Sequence, residues 1–172
     1  MVIGSESETV EFKLTTGEKN EAVEAMAAIL NKHCRGTVYF GVDDSGFVRG
    51  QQISDSTKKD ISRIISDAIE PRIAPTIEVL TIEQRTIIKV SFSGHNRPYA
   101  VNGKYLIRTG TENRRMSPDE LKRLIKNDDY SSKWEEGVTD YTAEDLDDEA
   151  LKDFYQSAKD CSRLSMKEYD KG

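Results

Sequence analysis

The chain is poor in the residues that staple a fold or ligate a metal. Its 172 residues include only 2 cysteines, Cys34 and Cys161, and 2 histidines, His33 and His95. With no CxxC and no paired histidine spacing, this composition argues against a structural zinc site, and two such distant thiols read as reduced side chains rather than a disulfide. Long apolar runs are missing too; nothing approaches the roughly 18 residues a membrane span requires. The opening MVIGSESETVEF has neither a basic start nor an apolar stretch, so no secretory leader is expected, and a cytoplasmic protein away from membranes is. A GxxxxGK[ST] phosphate loop is absent, which weakens an ATPase reading. Gly41, Gly46 and Gly50 do not form a dinucleotide fingerprint, because the segment after them opens a strand rather than a helix.

What is abundant is charge. Charged residues make up 33% of the chain against 36% hydrophobic, and the formal net charge is −6. That total hides a division. Residues 1–70 carry 8 Lys/Arg and 12 Asp/Glu, residues 71–126 carry 11 and 5, and residues 127–172 carry 6 and 14. A polyanion responds to the local field rather than the chain total, so the basic middle is a candidate contact surface. Ordinary solvated charges would give the same composition. The length fits one domain with an appendage.

Hydrophobic periodicity sketches that domain. Thr9–Leu14 alternates apolar and charged residues, the pattern of a half-buried strand. Val23, Met26, Ala27 and Leu30 recur at helical spacing, opposite Glu18, Glu21 and Glu24. Thr37–Val42 is nearly continuous in apolar, β-branched and aromatic residues and reads as a central strand buried on both faces. Asp43-Asp44-Ser45-Gly46 then turns the chain into a short strand at Phe47–Gly50. Ser54-Asp55-Ser56 caps a helix whose apolar face is Ile61, Ile64, Ile65, Ala68 and Ile69, ended by Pro71. Two alternating strands follow, Thr76–Ile82 and Thr86–Phe92, joined by a turn at Glu83–Arg85. Tyr99–Val101 and Lys104–Arg108 flank Asn102-Gly103, a hairpin signal. Ser117-Pro118 opens a last helix through Leu121, Leu124 and Ile125. The order β-α-β-β-α-β-β-β-β-α predicts an α/β (α+β) fold, a mixed sheet with helices packed on it. Residues 127–172 are acidic. They carry a capping sequence at Thr142–Asp145 and a stripe of Leu151, Phe154, Tyr155 and Ala158, so a helical extension too small to fold alone is expected, and with it a longer protein.

Two constellations carry chemistry. The first is Glu6, Glu11 and Asp43, with Lys13 beside them. Glu11 and Lys13 are two apart on a strand and share a face. Asp43 follows the neighbouring strand. Carboxylates gathered this way suit magnesium or manganese, which could activate water against a phosphodiester while Lys13 steadies charge. The same residues also fit a plain Glu11–Lys13 ion pair and an ordinary Asp43-Asp44 turn. The second constellation is Arg108-Thr109-Gly110-Thr111-Glu112-Asn113-Arg114-Arg115, extended by Arg97, Lys104, Lys122 and Arg123. Guanidinium forks and backbone N–H groups at a helix start favour phosphate oxygens. Pairing of these arginines with Glu112, Asp119 and Glu120 is the alternative.

Three separated blocks resemble the Schlafen AlbA domain family. Glu6-Ser7-Glu8-Thr9-Val10-Glu11-Phe12-Lys13 resembles its ESxxxEFK opening, and Gly36–Gly46 resembles its glycine-rich second block. Tyr105–Thr111 with Arg114–Ser117 resembles its closing strand. Arg35-Gly36 departs from the usual Gly-Gly pair and adds a positive charge beside the second strand. The resemblance implies a nucleic-acid-handling domain over residues 4–126, followed by the acidic extension 127–172. It implies a bacterial DNA-binding transcriptional regulator, with Arg97, Lys104, Arg108, Thr109, Gly110, Thr111, Arg114 and Arg115 on the phosphate backbone. A second implication is a divalent-metal-dependent nuclease, with Glu6, Glu11 and an aspartate at Asp43 or Asp44 as the acidic trio and Lys13 assisting. Nuclease relatives enclose RNA between two copies, so a single copy would need a homodimer. A protein-interaction or oligomerisation domain is the third reading.

Overall fold

The computed structural model describes residues 1–132, with side chains to residue 126. The elements in chain order are β1 (Val10–Lys13), a 3-10 turn at Thr16–Glu18, α1 (Lys19–His33), β2 (Arg35–Phe40), α2 (Asp55–Ala68), β3 (Ile69–Glu70), β4 (Thr76–Ile82), β5 (Arg85–Ser93), β6 (Ala100–Val101), β7 (Lys104–Thr109), β8 (Glu112–Arg115) and α3 (Pro118–Ser132). They form two four-stranded sheets, ordered β1-β2-β5-β4 and β3-β6-β7-β8. In the first, β1 and β2 are parallel and the remaining pairs antiparallel. The second is antiparallel throughout. The expected mixed α/β architecture is therefore present, divided between two sheets. No described helix is long and apolar enough to cross a membrane.

α1 packs against both sheets, touching β2 on one side and β6, β7 and β8 on the other. That position explains its composition. A surface helix buries one stripe, but here Ala22, Val23, Ala25, Met26, Ala27, Ala28, Ile29, Leu30 and Asn31 are all buried. Its alanines let the sheets approach closely. Gly36 completes the approach, since a Cβ there would stand 2.7 Å from both the Ile29 Cγ2 and the Phe92 ring. Asn31 is the polar exception. Its Nδ2 donates to the Tyr99 and Leu106 carbonyls, both at 2.8 Å, and its Oδ1 accepts from Tyr99 N–H at 2.7 Å. It thus stitches the chain before β6 to β7.

α2 begins at a Ser54/Thr57 capping box and buries Ile61 and Ile65. It ends at Ala68, three residues before Pro71, the proline expected to stop it. Ile69, read from the sequence as helical, is fully buried as β3 and pairs with Val101. Burial against β6 outweighs one more helical residue. The expected strand at Phe47–Gly50 is reduced to isolated bridges, Val2 with Phe47 and Val42 with Val48. These lay residues 1–4 and 42–50 over the outer face of the first sheet, where Val42 and Val48 join Phe12 and Ile87 in a second core. Gly46 is required there, because a Cβ would lie 1.9 Å from the Gly4 carbonyl oxygen, and its φ is +79°. The segment after β7 is a tight β7–β8 hairpin with Thr109 opposite Glu112. α3 runs to Ser132, past the expected boundary at 126. The proposed tail helix around Thr142–Ala158 lies outside the described residues.

Candidate nucleic-acid interface

The opening block and the closing block meet in space, and the residue that joins them is Arg108. On β7 it shares a face with Leu106, two residues earlier, and both side chains point inward. The guanidinium is completely buried. Its Nη2 donates to Glu11 Oε2 at 2.6 Å and to the Ser7 carbonyl at 3.1 Å, and its Nη1 donates to Asn113 Oδ1 at 2.8 Å. The other Glu11 oxygen, Oε1, lies 2.9 Å from Lys13 Nζ, whose second acid is Glu21 at 3.6 Å. Burial opposes the Lys13 charge, but the neighbouring Glu11, Glu21 and Glu18 outweigh it and raise its pKa. One buried carboxylate thus holds two cations, an arrangement that recovers the desolvation cost only because every partner is close.

The expected roles divide accordingly. Arg108 is corrected from a surface phosphate contact to an interior one, since a guanidinium with no exposure cannot reach a ligand. Glu6 accepts from the Phe12 N–H at 2.9 Å. Its pKa is raised, first by burial and further by the charge of Glu11. Asp43 stays within its own turn. Its Oδ1 accepts from Ser45 Oγ at 2.5 Å, Ser45 N–H at 3.1 Å and Phe47 N–H at 3.0 Å, and its Oδ2 from Arg49 Nε at 2.7 Å. The Ser45 hydroxyl first, then Arg49 and the Phe47 N–H, hold its carboxyl down at about 2. Among the described residues no three Asp, Glu, His or Cys side chains gather where they could hold a metal ion together. Glu11 also has both oxygens committed to cations. These residues therefore do not fit magnesium or manganese as placed, and no hydrolytic step follows from them.

Outside this knot lies the basic hairpin. Thr109, Gly110 and Thr111 are exposed at the β7–β8 turn, and Gly110 N–H reaches Glu8 Oε1 at 3.3 Å. Lys32 also bonds Glu8, and this contact, with the Gly110 N–H, lowers the Glu8 pKa. Arg114 is exposed but engaged, its two terminal nitrogens facing Glu120 at 2.9 and 2.6 Å. Glu120 accepts from Ser117 N–H at 2.8 Å while Ser117 Oγ accepts from Glu120 N–H at 3.3 Å, a capping box at the start of α3. Arg114 and that cap hold Glu120 at about 2. Lys104 pairs with Glu24 at 3.2 Å, and Arg97 is partly buried. Arg115, Lys122, Arg123 and Lys126 are exposed and form no ion pair among the described residues. On α3, Lys122 and Lys126 are one turn apart on the same face.

The alternation of β7 carried the signal for Arg108, because Leu106 had to be inward and Arg108 has the same parity. Nothing local marked Ser7, Asn31 or Asn113 as partners, since each bonds groups that only the tertiary fold brings near.

Comparison with known proteins gives the family. The domain family described as Schlafen, AlbA_2 matches residues 6–117. Among solved structures, the DIP2311 protein of Corynebacterium diphtheriae is similar at 15% identity and a TM-score of 0.54, over 92% of this chain and 31% of that one. The chain thus spans about a third of that protein. The N-terminal domain of a Nitrosomonas europaea protein described as ATP-dependent DNA helicase RecG-related is similar at 19% identity and a TM-score of 0.47, over 66% of this chain and 86% of that one. A search of curated proteins finds no match. The family match points to a nucleic-acid-related function.

Proposed function

We propose, from the premise that this chain belongs to the Schlafen, AlbA_2 family, that it is a nucleic-acid-binding module gripping the phosphate backbone from β8 and α3. The observation that carries this reading is the set of exposed cations Arg115, Lys122, Arg123 and Lys126, which no carboxylate among the described residues neutralises. A phosphate backbone supplies the missing counter-charge, and such contacts position a duplex or strand without reading its sequence. The Thr109 and Thr111 hydroxyls, exposed at the hairpin turn, extend the surface as neutral donors. Arg114 and Lys104, already held by Glu120 and Glu24, contribute less. In this reading the buried Glu11–Arg108–Lys13 knot is the scaffold that fixes the hairpin, and sequence readout belongs to other parts of a bacterial transcriptional regulator.

The test is a salt titration of binding to single-stranded DNA, duplex DNA and transfer RNA, followed by fluorescence anisotropy. Affinity should fall linearly on a log–log plot against salt. The variant carrying Arg115→Gln, Lys122→Gln and Arg123→Gln should bind more weakly with a shallower slope, by about 0.7–0.9 for each phosphate contact removed. Binding that ignores salt, or a triple variant indistinguishable from the parent, would refute the reading.

A further inference from the structure

The outer face of the first sheet is divided across its width. At one end, residues 1–4 and 42–50 cover Phe12, Ile87, Leu80 and Ile82. At the other end the strands present hydroxyls beside an open groove. The register sets them in rows, with Arg35 opposite Ser93, and Thr37 flanked by Ser91, which is opposite Thr76 on β4. Alternation places Arg35, Thr37, Ser91, Ser93 and Thr76 on this one face, because Gly36 and Phe92 between them turn toward α1. These side chains, together with Val10, Ala74 and Phe92, line an open groove of about 510 Å³, within the range of roughly 300–1,000 Å³ typical of small-ligand sites. The next row down carries a Lys89–Glu78 ion pair at 3.2 Å.

Arg35 is the unusual member. It is exposed, and among the described residues its guanidinium has neither an ion pair nor a hydrogen bond. Glu78, the acid on the same face, is already taken by Lys89. The groove therefore combines one uncompensated guanidinium with a bank of hydroxyl donors on rigid strands and contains no free carboxylate. That is the complement of a phosphoryl group, which accepts from a guanidinium fork and from Ser and Thr hydroxyls together.

We infer that this groove is a phosphate-ester subsite, in which Arg35 clamps the phosphoryl oxygens and Thr37, Ser91 and Ser93 donate to them. The phosphoryl group could belong to a free mononucleotide or to a nucleic-acid strand, which share this chemistry. The groove is lined by other strands than the cationic surface of β8 and α3, so the inference stands or falls separately from the proposed function.

The experiment is an amide-resolved NMR titration of the full 172-residue chain. The probes are inorganic phosphate, adenosine 5′-monophosphate, adenosine, and a short single-stranded oligonucleotide. Shifts confined to Thr9–Val10, Arg35–Thr37 and Ser91–Ser93 are expected with phosphate and the monophosphate, and none there with adenosine. Arg35→Gln should weaken that binding at least about tenfold, the usual loss of a charge-assisted contact, and Arg35→Lys should only partly restore it. A response at these amides to the oligonucleotide alone, again lost in Arg35→Gln, would keep the phosphoryl subsite and assign it to a strand. The Arg115/Lys122/Arg123 triple variant should leave the groove's response unchanged. No localised shift with any phosphate-bearing probe, or a response that survives Arg35→Gln, would overturn the inference.

Discussion

Arg108 and Arg115 lie seven residues apart on the two strands of one hairpin, yet their circumstances are opposite. Arg108 has no exposure and spends its guanidinium on Glu11, Ser7 and Asn113. Arg115 lies in a strand whose residues are all exposed, and its guanidinium forms no ion pair among the described residues. In one-letter sequence the two are the same residue in the same basic run. The difference teaches that the charge of a segment divides into a part that builds the fold and a part left to meet a ligand, and that only the second part generates an external field.

Removing the inner arginine should have the largest effect. Arg108→Met should destabilise the domain by about 3–5 kcal/mol, because Glu11 is left buried with one cation fewer. Urea unfolding monitored by circular dichroism measures it, and a loss below about 1 kcal/mol would mean the interior pair is nearly neutral. Asn31→Ala comes next. It leaves the Tyr99 N–H and the Tyr99 and Leu106 carbonyls without their partner, at a cost of about 2–4 kcal/mol. Replacing Arg115, Lys122 and Arg123 together by Gln should change unfolding by no more than about 0.5 kcal/mol while weakening nucleic-acid binding, the reverse of the inner variants. If it unfolds the protein instead, the outer cations are structural as well.

The smallest effect concerns acid. Asp43, held at about 2 by Ser45, Arg49 and the Phe47 N–H, favours the folded state while it is ionised. A carboxylate depressed in this way contributes above its unfolded value near 3.9, and the contribution is lost as pH falls toward 2. Asp43→Asn should therefore lower the melting temperature slightly at neutral pH and flatten its decline below about pH 4. Glu6 works in the opposite sense, because burial raises its pKa. Its protonated form favours folding at low pH, and that advantage disappears as pH rises through its folded value. Glu6→Gln keeps an acceptor for the Phe12 N–H and should raise stability modestly at neutral pH. A melting curve against pH for the two variants separates these signs.

Much of the fold could be read along the chain. The apolar alternation of β1, β4 and β5, the capping serines at Ser54 and Ser117, and the Asn102-Gly103 turn each act within a few residues, so their outcome is local. The pairing of Glu11 with Lys13 was legible for the same reason, being two residues apart on one strand. β3 was not legible, because Ile69 satisfies a helical stripe and a strand pair equally well until β6 is placed beside it. The site divides in the same way. The block order that carries the family was visible in sequence, while the separation of Asp43 from Glu11 was not, because it depends on where β1 and the loop after β2 finally lie.

Periodicity, composition and motif order were enough for the three helices, the longer strands, the charge division and the membership in the Schlafen, AlbA_2 family. Tertiary structure decided which charges face inward. Arg108 meets Glu11 across 97 residues of chain, and whether a guanidinium is a scaffold or a contact follows from the carboxylate the fold sets beside it. The unmatched Arg35, on a sheet face lined with hydroxyls, was decided in the same way. A side chain's chemistry is fixed by its type, but its availability is fixed by its neighbours.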